Sequence, residues 1–125
     1  MAVNTGKIEA LVRELLIEIG EDPEREGLVK TPHRVAAALA FLTSGSRTDP
    51  VTVINDAIFT QKTNSMVIVK NIEVYSLCEH HMLPFFGRCH IGYIPSGKVF
   101  GLSKLARLVD LLRFRLRVPK PVNHF

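Results

Sequence analysis

Two cysteines and five histidines are all that this chain contains, and one thiol, one carboxylate and two imidazoles fall together in Cys78-Glu79-His80-His81. Zinc favours Cys sulfur and His nitrogen, with three protein ligands and a water at a catalytic site or four ligands at a structural one. Cys78 and His81 form a C-x-x-H pair and supply two of these at most. Adjacent side chains in extended backbone point to opposite faces, so His80 and His81 are not expected to share one ion. The natural division puts Cys78 and His81 on the metal and leaves His80, an imidazole able to give and take a proton, to act beside it.

Other chemistry-bearing residues are weaker signals. Cys89 and His90 lie in a predicted strand on opposite faces, and packing accounts for both. A disulfide between Cys78 and Cys89 is possible on paper, but beside histidines in a chain expected to be cytoplasmic, metal binding is the better reading. Gly101-Leu102-Ser103-Lys104 opens a helix after a strand, with Ser103 as its expected N-cap; Lys104 and Arg107, three apart, could grip a phosphate at that helix start. A capped helix with surface charges explains the same residues. Arg34, beside His33 on an earlier helix, is a further cation of the same kind.

The elements that must position these groups follow from periodicity. Ile8, Leu11, Val12, Leu15, Leu16 and Ile19 predict a helix over Lys7–Ile19, capped by Asn4 or Thr5 and closed by Gly20. Thr31-Pro32 predicts a cap and an N1 proline for a second helix over Pro32–Leu42, ended by Ser44-Gly45-Ser46. A polar linker over 46–50 precedes strands at Met66–Lys70, Ile72–Leu77 and Arg88–Pro95, with Lys98–Phe100 returning after the Ser96-Gly97 turn. A third helix starts at Ser103 and is ended by Pro119 and Pro121. One helix covers little of such a sheet, which implies an oligomer or an incomplete domain.

Composition bounds the rest. With 46% hydrophobic residues in 125, the chain suffices for one domain. No run approaches the roughly 20 apolar residues of a membrane span, and no secretory pattern opens the chain, so a cytoplasmic protein without membrane partners is expected. The net charge of +4 is concentrated from Lys104 onward, where six basic residues face Asp110 alone; the first 103 residues sum to −1. A helical face of arginines is usually solvated, so nucleic acid is not an expected partner.

Ser76–His81, Leu83-Pro84-Phe85-Phe86-Gly87, Gly101-Leu102-Ser103-Lys104-Leu105-Ala106-Arg107, the stretch Gly20–Leu28 and Lys30-Thr31-Pro32-His33-Arg34-Val35-Ala36 together resemble GTP cyclohydrolase I. The resemblance runs from about Leu11 to about Val118. It implies an α+β architecture of the tunnelling-fold (T-fold) type, N-terminal helices followed by antiparallel strands and a helix, assembled as a homo-oligomer, typically a decamer of two pentamers. It implies hydrolytic opening of the GTP imidazole ring, giving formate and 7,8-dihydroneopterin triphosphate, on the route to tetrahydrofolate or biopterin. By resemblance Cys78 and His81 match ligands of Zn2+, His80 an acid/base residue that protonates the purine ring, Ser103, Lys104 and Arg107 a triphosphate-contacting helix start, and Arg34 a phosphate contact.

The departures from the family pattern gather at the end. The family's third zinc ligand is a downstream cysteine that this sequence does not reach. Where the family reads Val-Gln-Glu-Arg, with the glutamate recognising guanine, this chain has Val118-Pro119-Lys120-Pro121; Ala37 stands where a lysine is common. These features divide the chain into an N-terminal helical region (1–48), a partial catalytic domain (49–118) and a divergent tail (119–125), with the C-terminal part of the fold expected to be missing. The alternative to an active enzyme is an inactive subunit that joins or interferes with full-length ones.

Overall fold

Asn4 starts the first helix by accepting the Lys7 N–H on its side chain at 2.9 Å, leaving α1 to run over Thr5–Glu18. Gly20, at φ 86, ends it: its N–H donates to Ile17 O and the Glu21 N–H to Leu16 O, a paired closure that needs the left-handed residue. The computed structural model describes residues 2–54 and 57–117. The chain divides into two compact units between Thr43 and Ser44. In the first, α1 packs on α2 (Thr31–Leu42) through Val12, Leu16 and the fully buried Ala36, and His33 Nδ1 lies 3.0 Å from Glu9 Oε1. Thr31 is not the cap that the sequence suggests. Lys30 occupies that position with helical backbone and no side-chain cap, and Thr31 is already helical.

The second unit is built on one long hairpin. β2 (Val67–Cys78) pairs antiparallel with β3 (Pro84–Tyr93), and β5 (Leu116–Arg117) adds parallel to the end of β2. The break expected between 70 and 72 is a β-bulge inside a continuous strand. Val69 faces Ile91 and Ile72 faces Cys89, so Lys70 and Asn71 together oppose His90. Asn71 takes φ 60, and its N–H donates to His90 Nδ1 at 3.1 Å. The extra residue resets the pleat, which keeps Val67, Val69, Ile72, Val74 and Ser76 on the inner face and Ile68, Glu73 and Tyr75 outside.

β3 starts four residues earlier than the sequence suggests, because a proline is tolerated as the first residue of a strand. Its burial alternates as expected, with Cys89, Ile91 and Tyr93 inward and His90 and Gly92 outward. Lys98–Phe100, strand β4, does not return along β3. It pairs with β1 (Ile58–Thr60), a strand absent from the sequence reading, while Phe100 reaches back to Tyr93 through its N–H, which donates to Oη at 3.0 Å, and through its ring, edge-on with centroids 5.6 Å apart.

α4 (Leu102–Arg113) lies across the inner face and buries Leu105, Val109 and Leu111. The outer face is exposed among the described residues: Phe86 is 83% exposed, and Ile68 and Tyr75 are each 52% exposed. The expected linker instead holds a 3-10 turn (Ser44–Arg47) and a short helix α3 (Pro50–Ile54), both against α4. The prolines expected to end α4 lie outside the described residues, and the helix stops sooner, at Arg113. No helix among the described residues is long and apolar enough to cross a membrane.

Two predictions follow from the hairpin. Asn71→Val is expected to lower the unfolding free energy by about 1–2 kcal/mol, since a β-branched residue is strained in left-handed backbone, and Asn71→Gly to leave it within about 0.5 kcal/mol. Urea unfolding midpoints that coincide for the two variants would contradict the bulge. The register also sets Cys89 opposite Ile72, six positions back from Cys78. At about 3.4 Å per residue that is roughly 20 Å, far beyond the ~7 Å Cα limit of a disulfide. Both cysteines are free, so the denatured, unreduced chain should consume two equivalents of thiol reagent; none consumed would refute the register.

Candidate metal and phosphate sites

The Cys78–His81 cluster sits on a tight turn at the end of β2 rather than in extended backbone. Five residues, Glu79 to Leu83, connect β2 to β3, closed by Cys78 N–H to Leu83 O at 2.9 Å and Met82 N–H to Cys78 O at 2.8 Å. Met82 takes φ 57 to complete the reversal. The extended-strand reason for separating the two imidazoles therefore does not apply, yet the turn separates them by its hydrogen bonds. His80 Nδ1 lies 3.4 Å from Cys78 Sγ, and His81 Nδ1 accepts the Leu83 N–H at 3.2 Å.

Burial separates the thiol from its neighbours. Cys78 is 3% exposed whereas Glu79, His80 and His81 are open to solvent, so the thiol forms the floor of the turn and the imidazoles its rim. Accepting at Nδ1 puts the proton of neutral His81 on Nε2, and a metal taken up at Nε2 would displace it. In kind, the donors suit zinc: a thiolate sulfur with imidazole nitrogen nearby. In number they fall short, because no group of three or more His, Cys, Asp or Glu among the described residues is placed to hold one ion. Cys89 does not make up the difference. It stands well back along the hairpin, its Sγ 3.9 Å from His90 O, and burial pushes its thiol pKa up. His90 is occupied by the bulge.

Lys104 and Arg107 come together on a cleft of about 380 Å³ between α4 and the segment Ser44–Val53. Ser44, Thr48 and Thr52 line the facing wall, but Thr48 Oγ1 donates to Ser44 O and Thr52 Oγ1 to Asp49 O, so an anion there would rely on the two cations. Asp110 lines the same cleft and is held by Arg113 at 3.0 Å. Ser103 is not the N-cap. Gly101 takes that position, pinned by its own N–H to Ala57 O at 3.0 Å, and Ser103 stands exposed in the first turn without lining the cleft. Arg34, exposed in the first turn of α2, belongs to the other unit.

The cluster and the cleft cations are apart within one chain. α4 begins near the Val67 end of the hairpin, where Phe100 meets Tyr93, and ends beside Leu77 and Cys78 through β5. Its 12 residues span about 18 Å, so Ser103 and Lys104 lie a helix length from the metal turn. Of the basic residues beyond Lys104, Arg107 is exposed whereas Arg113 and Arg115 are half-buried and engaged. Arg113 stacks 4.7 Å from the Phe114 ring and donates to Glu73 O, and Arg115 donates through Nε to Gly45 O at 2.9 Å. Sequence reasoning missed Gly45, Ser76 and Arg115 as a group; a lone glycine after a helix reads only as a terminator.

Comparison with known proteins shows the family. The family model of GTP cyclohydrolase I matches residues 8–121. Among relatives, the chain is 59% identical to GTP cyclohydrolase 1 of Chlorobium phaeovibrioides over 107 residues, covering 86% of this chain and 48% of that protein. It is 56% identical to that of Leptospira biflexa over 111 residues (89% and 61%) and 57% identical to that of Campylobacter curvus over 115 (92% and 60%). The chain thus spans about half to three fifths of the length of the relatives it matches. With the family model covering nearly the whole sequence, and the cysteine-histidine turn and the GLSK helix start both inside the match, the chain belongs to the GTP cyclohydrolase I family.

Proposed function

We propose that this chain carries the metal-binding half of a site for zinc-dependent hydrolytic opening of the GTP imidazole ring, releasing formate and leading to 7,8-dihydroneopterin triphosphate. The Cys78–His81 turn carries the reading: a buried sulfur, an imidazole against it and a second imidazole at the rim, in a member of this family. Cys78 and His81 would hold the ion. When bound, zinc makes a hydroxide equivalent available near neutral pH. His80, with Nδ1 toward Cys78 Sγ, keeps Nε2 for giving a proton to the purine ring and taking it back. Lys104 and Arg107, with Ser103 at the exposed helix start, would hold the triphosphate, where cations at a helix N-terminus offset its charge, and Arg34 is by resemblance a phosphate contact of its own unit.

This division of labour requires assembly. Ser103 and Lys104, a helix length from the metal turn of their own chain, are poorly placed to serve one GTP together with it, whereas a neighbouring copy can bring its own helix start to the turn. A homo-oligomer is therefore part of the proposal, and the uncovered outer sheet face is available to it. The shortfall in metal donors favours a second reading: the 125-residue chain alone does not turn over GTP and acts by joining longer subunits that supply the third donor.

Formate release from GTP, measured together with bound zinc, separates the two. Turnover by the chain alone with one zinc per chain supports the first reading. No turnover alone, but altered activity of a full-length family member on mixing, supports the second; neither turnover nor association would sink both. In a turnover-competent assembly, His80→Ala should leave zinc content unchanged and slow formate release by about 100-fold or more, within the range of a lost general acid. Zinc loss parallel to activity loss would refute the role of His80.

A further inference from the structure

Three hydrogen bonds in series run from the 3-10 turn to the strand that ends at Cys78. The Gly45 N–H donates to Phe114 O at 2.8 Å, Arg115 Nε–H to Gly45 O at 2.9 Å, and Ser76 Oγ–H to Arg115 O at 2.9 Å. Ser76 is 3% exposed, a buried hydroxyl with this one acceptor two residues before the thiol. Gly45 is buried, and a Cβ there would fall on the Leu111 carbonyl oxygen and within 2.9 Å of Phe114 O. The turn approaches the end of α4 this closely only because residue 45 has no side chain.

These bonds redirect the chain. The Phe114 and Arg115 carbonyls would accept from residues 118 and 119 if α4 continued, and Pro119 has no N–H to give. Gly45 and Ser76 claim those carbonyls instead, and the backbone leaves the helix to pair Leu116 with Leu77 and residue 117 with Cys78. The two-residue strand β5 is what flanks Cys78 on the side away from β3. Nothing in the metal turn itself supplies that flank.

We infer that Arg115 and Ser76 are positioning residues for the Cys78 thiol, holding β5 against it so that its sulfur faces the metal turn; the functional sense of this rests on reading that turn as the metal site. Neither residue touches the ion or the substrate in this scheme.

Iodoacetamide labelling of the folded 125-residue chain, followed peptide by peptide, tests it with Cys89 as the internal reference. Ser76→Ala and Arg115→Lys should each speed labelling of Cys78 about tenfold, by freeing the local opening of β5, and change Cys89 less than about twofold. Ser76→Thr, which keeps the hydroxyl, should restore the slow rate. Equal acceleration at both cysteines would overturn the inference, since the bonds would then hold the fold as a whole, and so would unchanged labelling of Cys78 in both variants. Co2+ titration separates the inference from the reading beneath it. Wild-type chain that binds Co2+ about tenfold more tightly than Ser76→Ala supports both, in line with outer residues that orient metal ligands. Wild-type chain that binds no Co2+ overturns the metal reading, whatever the labelling shows.

Discussion

β2 can keep one face against α4 along its whole length only because the pleat is reset at Asn71. Side chains alternate strictly along a strand, so without the extra residue every position from Ile72 to Cys78 would exchange faces. Ser76 would then point away from Arg115, and the outer face would receive Val74 in place of Tyr75. The bulge is far from the metal turn in space. It nonetheless decides which way the last three residues of the strand face, and those are the residues with the deepest burial in β2.

The same strand end is tied into a series of long-range bonds. Arg115 reaches Gly45, 70 positions away, and Ser76 reaches Arg115, 39 positions away. A cation bonded to a backbone carbonyl is a stronger partner than a neutral donor, which suits an anchor at a helix exit. Basic residues that look like a surface stripe in the sequence are therefore structural in Arg113 and Arg115. Lys104 and Arg107, on the cleft side of α4, keep their charges available to a ligand.

How much of this could be read from the residues depends on range. Local rules located α1, α2 and α4, the Gly20 closure and the inward alternation of β3, because caps, glycines and periodicity act within a few positions. The bulge appeared as a gap between two strands, since its cause is a pairing with His90 across the hairpin. β1 and α3 are too short to carry a period, and the pairing of β4 with β1 spans some 40 positions that no local signal links. At the site, the C-x-x-H spacing was legible, but the turn sets His80 rather than His81 against the Cys78 sulfur and engages His81 with the Leu83 N–H, an arrangement that depends on the turn's own closure. Ser103 was misplaced as a cap because Gly101 is fixed by Ala57, a partner outside the helix.

The account depends most on Cys78 being a metal ligand in an incomplete donor set. Visible absorption of the Co2+-loaded chain reports thiolate ligation through its sulfur-to-cobalt charge-transfer band. The account predicts a band that disappears in Cys78→Ala and persists in Cys89→Ala. A band that survives Cys78→Ala, or is lost only with Cys89→Ala, would contradict it.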